Sequence, residues 1–129
     1  MRFLGIDFGL AKIGLAIAEE NFAYPFRVIR RSGKFISKIT QICKENRIER
    51  IIVGFPQGRL EKEVKKFARN LSRQIGIPVE FQDETLTTKE AVAKMIAGRK
   101  KRKKRKELED AFAAACILQE FLEERRENV

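Results

Sequence analysis

Acidic residues at the ends of predicted strands are the side chains of this sequence best suited to chemistry. Asp7 follows a buried apolar run and lies between Gly5 and Gly9, while Asp83 and Glu84 follow the short predicted strand from Val79 to Gln82. Ligands gather beyond the carboxyl ends of strands in α/β sheets, so these acids stand where a substrate would bind. Taken alone, each could equally be an acidic residue that enters a turn.

Asp110 is a fourth candidate, because it lies inside an apolar, alanine-rich helical segment. Asp is a poor helix former, and its neighbours Ala111, Phe112 and Ala114 indicate a face turned toward the sheet. The alternative is a first-turn residue favoured by the helix dipole. Acids at two strand ends and on a helix over the sheet could close on one point, where like charges require a cation between them.

The absence of histidine restricts the chemistry available to this chain. It excludes Ser-His-Asp mechanisms and every metal site that uses imidazole. Carboxylates favour hard cations, so we expect Mg²⁺ or Mn²⁺ as the cofactor. Two such ions about 4 Å apart would activate a water molecule and stabilise the leaving oxygen of a phosphodiester.

A concentrated basic run accounts for most of the net charge of +10 carried by the 129 residues. It consists of Arg99, Lys100, Lys101, Arg102, Lys103, Lys104, Arg105 and Lys106, without which the net charge would be +2. Like charges in a row repel one another, so we expect a mobile basic segment at about 98–107. It is either a solvated linker or, as we favour, a phosphate-binding arm whose grip weakens with salt.

Composition and cysteine usage predict a cytoplasmic protein. With 43% hydrophobic and 36% charged residues, the chain is too apolar for a disordered protein and too charged for a membrane protein. Cys43 and Cys116 lie among apolar residues without a CxxC arrangement, so we expect buried thiols, no disulfide and no zinc. Asp7 interrupts the first apolar run before it reaches the length of an export signal.

The elements that must position the acids follow one another in a simple order. Strands are predicted at 2–7, 13–18, 24–29, 50–54 and 79–82, and Pro25 suits an edge strand. Ser32 is the predicted N-cap of a first helix with apolar positions at 35–43; further helices are predicted at 60–75, from the capping box of Thr87 to about 97, and at 108–122. This order predicts one domain over 1–129: a five-stranded mixed sheet with three antiparallel strands first and helices on both faces, as in the ribonuclease H-like fold.

Four motifs then follow one another along the chain: Gly5-Ile6-Asp7-Phe8-Gly9 with Lys12-Ile13-Gly14-Leu15-Ala16, Ile52-Val53-Gly54-Phe55-Pro56, Asp83-Glu84-Thr85-Leu86-Thr87-Thr88, and Asp110-Ala111-Phe112-Ala113-Ala114. In content and order they resemble the bacterial YqgF family, also called RuvX, which has a ribonuclease H-like fold. The resemblance covers nearly the whole chain. It implies a metal-dependent nuclease, assigned in the family to trimming the 5′ end of pre-16S ribosomal RNA or, less usually, to resolving Holliday junctions.

The resemblance also implies roles for the acids. By match of motif, Asp7, Glu84 and Asp110 take the place of the family's catalytic metal ligands, and Asp83 becomes an auxiliary or structural acid. The fourth strand ends in Gly54 and Phe55 with no acid, whereas related resolvases place a carboxylate there. We therefore expect Glu84 to do that work from the neighbouring position.

Nucleic-acid contacts are expected at Lys12 of the first motif, at Lys89 and along the basic run. Thr85 stands where the family commonly has Arg, so a phosphate contact is expected to have moved to Lys89 or to the basic run. Trp is absent and the basic run has no interleaved aromatic residue, so contacts to phosphates should outnumber contacts to bases. Such recognition of shape suits structured RNA, branched DNA or ribosomal precursor particles.

Two other classes of protein remain to be weighed. An ATP-binding protein of the actin and sugar-kinase type also begins with a glycine-flanked Asp and a hairpin, but it needs two such domains and this chain holds one. A catalytically idle RNA-binding or ribosome-assembly factor stays open, with the acids as remnants. We expect a monomer or a homodimer, and a dimer would favour the junction because two symmetric cuts need two active sites.

Overall fold

Five strands and three helices form the part of the chain that the computed structural model describes, which is residues 1–55, 58, 60–84 and 102–127, with side chains of 108–125 in the last range. The elements are β1 (Arg2–Phe8), β2 (Lys12–Glu19), β3 (Phe22–Arg30), α1 (Phe35–Glu45), β4 (Arg50–Phe55), α2 (Glu61–Ile75), β5 (Val79–Asp83) and α3 (Arg102–Glu127). The five predicted strands are confirmed, each longer than predicted by one to three residues. The helix predicted from Thr87 to about 97 lies outside the described residues.

The strands form one mixed sheet in the order β3-β2-β1-β4-β5. The pairs β1–β2 and β2–β3 are antiparallel, and the pairs β1–β4 and β4–β5 are parallel. Strand β3 is at the edge, as Pro25 predicted, since a residue without an N–H cannot complete a central ladder. The parallel strands β1, β4 and β5 end on the same side of the sheet, here called the carboxyl edge and defined by their last residues Phe8, Phe55 and Asp83.

Helices cover both faces of the sheet, as predicted, because alternating side chains make each strand apolar on both sides. Helices α1 and α2 pack on one face, here called the α2 face, where Val64 and Leu71 meet Ile6 and Val53. Helix α3 packs on the other, here called the α3 face, where Leu118 is buried against the sheet. Burying each such side chain contributes about 1.5–3 kcal/mol, so both layers hold the strand ends in place.

Two glycines let α3 lie directly on the sheet. A Cβ atom at Gly5 would be 2.8 Å from the Cβ of Leu118, and a Cβ atom at Gly14 would overlap the backbone carbonyl of Asp110. Neither position can hold a larger residue without moving the helix. The height of α3 above β1 and β2 is therefore set by backbone contact.

The predicted start of the first helix was wrong. Helix α1 begins at Phe35 with Lys34 as its N-cap, and no side chain caps it. Gly33 adopts a φ of +60° in the bends that precede the helix, which places Ser32 outside capping position. The end of α2 agrees with the prediction, since Gly76 adopts a left-handed conformation just after Ile75.

The predicted start of the last helix was also wrong, because α3 begins at Arg102 rather than at 108 and ends at Glu127. Lys and Arg are good helix formers, so five residues of the basic run extend the apolar segment as helix. Residues 99–101 of that run lie outside the described residues, and the mobility of the segment stays a prediction. None of the described helices is both long enough and apolar enough to span a membrane.

Candidate active site

Asp7 lies near the end of β1, on the α3 face. It pairs across the ladder with Gly14, and both Gly14 and Gly5, two residues earlier on β1, point toward α3. Because side chains alternate along a strand, the Asp7 carboxylate is on the same side as these two glycines. The side chain is partly buried.

Asp110 is above that position on α3. Its backbone carbonyl is the atom group that fills the space over Gly14. Ala114 and Leu118, four and eight residues further on, contact Gly5, so Asp110 belongs to the stripe of α3 that faces the sheet. The pairing of Gly14 with Asp7 therefore brings Asp110 and Asp7 to neighbouring places at the carboxyl edge.

Glu84 reaches the same face from β5. Its backbone N–H donates a hydrogen bond of 3.1 Å to the carbonyl oxygen of Phe55, which continues the ladder one residue past the strand. A Cβ atom at Gly54 would be 3.0 Å from Oε1 of Glu84 and 2.6 Å from Cδ1 of Ile117 in α3. The Glu84 carboxylate thus lies over Gly54, in the space above a strand that has no acid of its own.

Asp83 is on the other face. It pairs with Phe55, and alternation puts it on the same side as Phe81, which lines a groove against α2. Gln82, between them, points to the α3 face, where its amide donates a 3.1 Å hydrogen bond to the Glu124 carboxylate of α3. Two consecutive acids of one motif therefore point to opposite sides of the sheet.

The structure brings Asp7, Glu84 and Asp110 to one face and one edge, with oxygen donors of the kind that Mg²⁺ and Mn²⁺ prefer. Across the described residues, no three Asp, Glu or Cys side chains lie close enough together to hold a metal ion as they stand. A shared ion would require rotation of these side chains about their χ angles, which partly exposed carboxylates can make.

Two basic side chains lie beside the acids on the α3 face. Lys12 is two residues before Gly14 on β2, so it shares the side of that glycine. Arg30 is the cross-strand partner of Lys12 at the end of β3. Both side chains are exposed. Lys12 was predicted as a nucleic-acid contact, which stays a prediction. Arg30 was not named from the sequence, because only the register of β2 with β3 shows that it is a neighbour of Lys12.

The basic run leads directly to the acids through the first turns of α3. Arg102 is eight residues before Asp110 in the same helix, a distance of about 12 Å along its axis. After Asp110, α3 runs back over β1 toward Phe3. The residues before Asp110 therefore extend in the opposite direction, past the carboxyl edge. The predicted contacts Lys89 and Arg99 to Lys101, and also Thr85, lie outside the described residues.

The two thiols are separate from this site. Cys43 of α1 is buried on the α2 face, and burial raises its pKa to about 12. Cys116 of α3 is only half-buried, less than predicted, and its pKa is raised first by burial and then by the nearby charge of Glu120. Neither is placed to act with the acids of the carboxyl edge.

Comparison with known sequences covers nearly the whole chain. A family model described as "RuvX: Holliday junction resolvase" matches residues 1–124. A relative from Syntrophomonas wolfei named "Putative pre-16S rRNA nuclease" is 35% identical over 95% of this chain and 94% of its own length. A relative of the same name from Dictyoglomus thermophilum is 34% identical over 95% of this chain and 96% of its own length.

Comparison with solved structures establishes the fold. RuvC of T. thermophilus in complex with a Holliday junction substrate has a TM-score of 0.63 at 19% identity, covering 100% of this chain and 98% of that one. The fowlpox virus Holliday junction resolvase has a TM-score of 0.65 at 11% identity, covering 96% and 99%. The predicted ribonuclease H-like architecture is therefore confirmed.

Proposed function

Because this chain belongs to the RuvX family, also called YqgF, we propose that it is a nuclease that hydrolyses phosphodiester bonds in structured nucleic acid. The observation that supports the proposal is that Asp7, Glu84 and Asp110 lie on the same face, the α3 face, at the carboxyl edge of the sheet. The substrate that we propose is the 5′ end of pre-16S ribosomal RNA, in keeping with the names of the relatives.

The three acids are the proposed metal ligands. Their chemistry fits Mg²⁺ or Mn²⁺, which when bound as a pair would lower the pKa of a water molecule and stabilise the leaving oxygen. Each acid comes from a different element, β1, the end of β5 and α3, so the folded backbone sets their relative positions. Asp83 is excluded from the ligand set in this proposal, because its side chain faces the α2 face.

Phosphate binding is assigned to the basic groups around the acids. Lys12 and Arg30 would hold the phosphates next to the scissile bond, since they share the α3 face with Asp7. The basic run would hold phosphates further away, as it leads outward along α3 from Asp110. Fixed cations at these places offset the repulsion between a polyanion and three carboxylates.

Resolution of Holliday junctions is the second candidate function. It is favoured by the description of the matching family model. Two symmetric cuts need two active sites, so this function requires a dimer on the junction. The mass of the complex with a four-way junction therefore separates the two candidates independently of cleavage.

The first experiment compares cleavage of a labelled 5′-extended ribosomal RNA precursor with cleavage of a four-way DNA junction, each with Mg²⁺, with Mn²⁺ and with chelator. We expect metal-dependent cutting of the RNA precursor. Replacing a metal-ligating carboxylate by its amide in Asp7→Asn, Glu84→Gln or Asp110→Asn should lower the rate at least about a hundredfold, because the amide keeps the shape and removes the charge.

Asp83→Asn is the matched comparison, since it changes the next residue of the same segment on the opposite face. Its rate should stay within a few-fold of the wild-type rate. Equal losses in Asp83→Asn and Glu84→Gln would contradict the assignment of the ligands. Salt-sensitive binding without any cutting would instead support the idle RNA-binding factor.

A further inference from the structure

A groove on the α2 face, here called the β5 groove, combines an exposed aromatic ring with basic side chains. It has a volume of about 440 Å³ and is lined by Lys65, Ala68, Arg69, Ser72, Val79 and Phe81. The Phe81 side chain is 42% exposed, although it is large and apolar. Its ring meets that of Phe55 nearly edge-on, with 5.2 Å between centroids. An exposed ring held in place by a neighbour is suited to stacking.

Helix α2 carries a basic stripe beside the groove, and Arg69 of this stripe also lines the groove. Lys62, Lys66, Arg69 and Arg73 follow one another at spacings of four, three and four residues, which places them on one exposed side of the helix. Among the described residues, none of the four forms an ion pair with a carboxylate. Their charge is therefore available to an external anion.

The β5 groove lies close to the carboxyl edge, because both include residues of β5. Phe81 is two residues before Asp83 on β5, and Phe55 is the last residue of β4, directly after the Gly54 that supports Glu84. A chain that passes over the ends of β4 and β5 would move from the Glu84 carboxylate on one face to the Phe81 ring on the other.

We propose that the β5 groove binds an unpaired segment of the nucleic acid, with one base stacked on Phe81 and its phosphates held by Arg69 and Lys65. Lys65 forms an exposed ion pair of 3.3 Å with Glu61 on α2, so a bound phosphate would take the place of that carboxylate. This inference rests on the proposed function in that the segment would be continuous with the strand cut at the acids. Stacking on a side chain needs a base free of its partner, and every base has a face to offer. Positive charge along α2 favours a polyanion over a second copy of this basic chain.

The test measures fluorescence anisotropy of labelled RNA and DNA oligonucleotides of about eight nucleotides, a length within the usual site size for such binding. Lys65→Ala with Arg69→Ala and, separately, Phe81→Ala should each weaken binding about tenfold. Phe81→Tyr should restore it, because the ring is kept. Lys38→Ala with Lys44→Ala removes the same charge from exposed positions of α1 and should leave binding within about twofold.

A second readout separates stacking from packing. Oligonucleotides with one abasic position, moved along the sequence, should bind the wild-type protein about tenfold more weakly at one position. Phe81→Ala should show no such position, since the ring that reads the base is gone. If Phe81→Ala weakens intact and abasic oligonucleotides equally while keeping this position dependence, the ring only supports the fold and the proposal is overturned.

The remaining outcomes separate this proposal from the nuclease. Groove-dependent binding by a protein that cuts nothing would support the β5 groove and contradict the proposed function. Cutting and binding that are unchanged in every groove variant, for substrates with and without single-stranded extensions, would overturn the β5 groove and leave the nuclease intact. A change of oligomeric state in the groove variants, with oligonucleotide affinity unchanged, would identify a protein contact and also overturn the proposal.

Discussion

At the scale of single residues, Cys43 is a group whose ionisation is strongly coupled to folding. Burial raises the pKa of this thiol from 9.0 to about 12. Below pH 9.0 the thiol is protonated in both the folded and the unfolded state, so its contribution to stability is complete. Above pH 9.0 the unfolded thiol ionises first, and that contribution is lost as the pH rises toward 12.

We therefore predict that the free energy of unfolding of the wild-type protein falls by about 2 kcal/mol more than that of Cys43→Ala between pH 8 and pH 10.5. Urea unfolding at the two pH values measures the difference. The lysines titrate equally in both proteins, so their contribution to the pH dependence drops out of the comparison. Parallel losses in both proteins would show that the Cys43 thiol ionises normally in the folded state.

The sequence singled out Asp7, Glu84 and Asp110 as metal ligands, which stays a prediction, but it did not show the direction in which each side chain points. Asp83 and Glu84 are neighbours with similar chemistry, and only the pairing of β5 with β4 shows that Glu84 shares a face with Asp7. Arg30 was missed for the same reason. Strand register depends on contacts between distant segments, which local composition does not contain.

At the scale of elements, the contact between Gly14 and α3 determines where Asp110 lies. We predict that Gly14→Ala lowers the free energy of unfolding by about 3 kcal/mol, because the added methyl group meets the backbone carbonyl of Asp110. The helix must rise, so cleavage should fall by about a hundredfold as Asp110 is displaced. Urea unfolding and the cleavage assay measure the two effects.

Gly33→Ala is the comparison for this prediction. Its Cβ atom would meet nothing within 4 Å, and only its φ of +60° opposes the substitution. The expected cost is about 1 kcal/mol, with cleavage unchanged. Wild-type stability and cleavage in Gly14→Ala would mean that α3 can shift along the sheet at little cost.

The order and type of the described elements followed from apolar periodicity, while their ends followed less well. The left-handed Gly76 after α2 was predicted because the signal is local. The start of α1 was not, because Ser32 is a good capping residue in the wrong place. The start of α3 was placed six residues late, since the repulsion expected between basic residues was given more weight than their helix propensity.

At the scale of the whole molecule, the net charge of +10 predicts binding that weakens steeply with salt. This salt dependence can come from phosphate contacts made by the basic run or from the net charge of the whole protein. Replacing Lys101, Lys103 and Lys104 by Gln lowers the net charge to +7, and so does replacing Lys34, Lys38 and Lys44 on or next to α1. The two triple variants therefore differ only in the place of the lost charge.

We predict that the first triple variant reduces the slope of log affinity against log salt by about 2, as three phosphate contacts are lost, whereas the second leaves the slope nearly unchanged. Titration of the RNA precursor at several salt concentrations gives both slopes. Equal reductions would mean that long-range attraction, rather than contact with the basic run, governs affinity.

Because Asp83 and Glu84 point to opposite faces, the number of residues in β5 decides which of them lies on the α3 face. Removing one residue between Phe81 and Glu84 would turn Glu84 to the α2 face. Adding one residue between Phe81 and Asp83 would bring Asp83, shorter by one methylene, to the place over Gly54. An insertion thus replaces one carboxylate by another, but a deletion puts Thr85 there. Relatives of this chain should accordingly change the length of this strand by two residues at a time, or compensate a single step with a bulge.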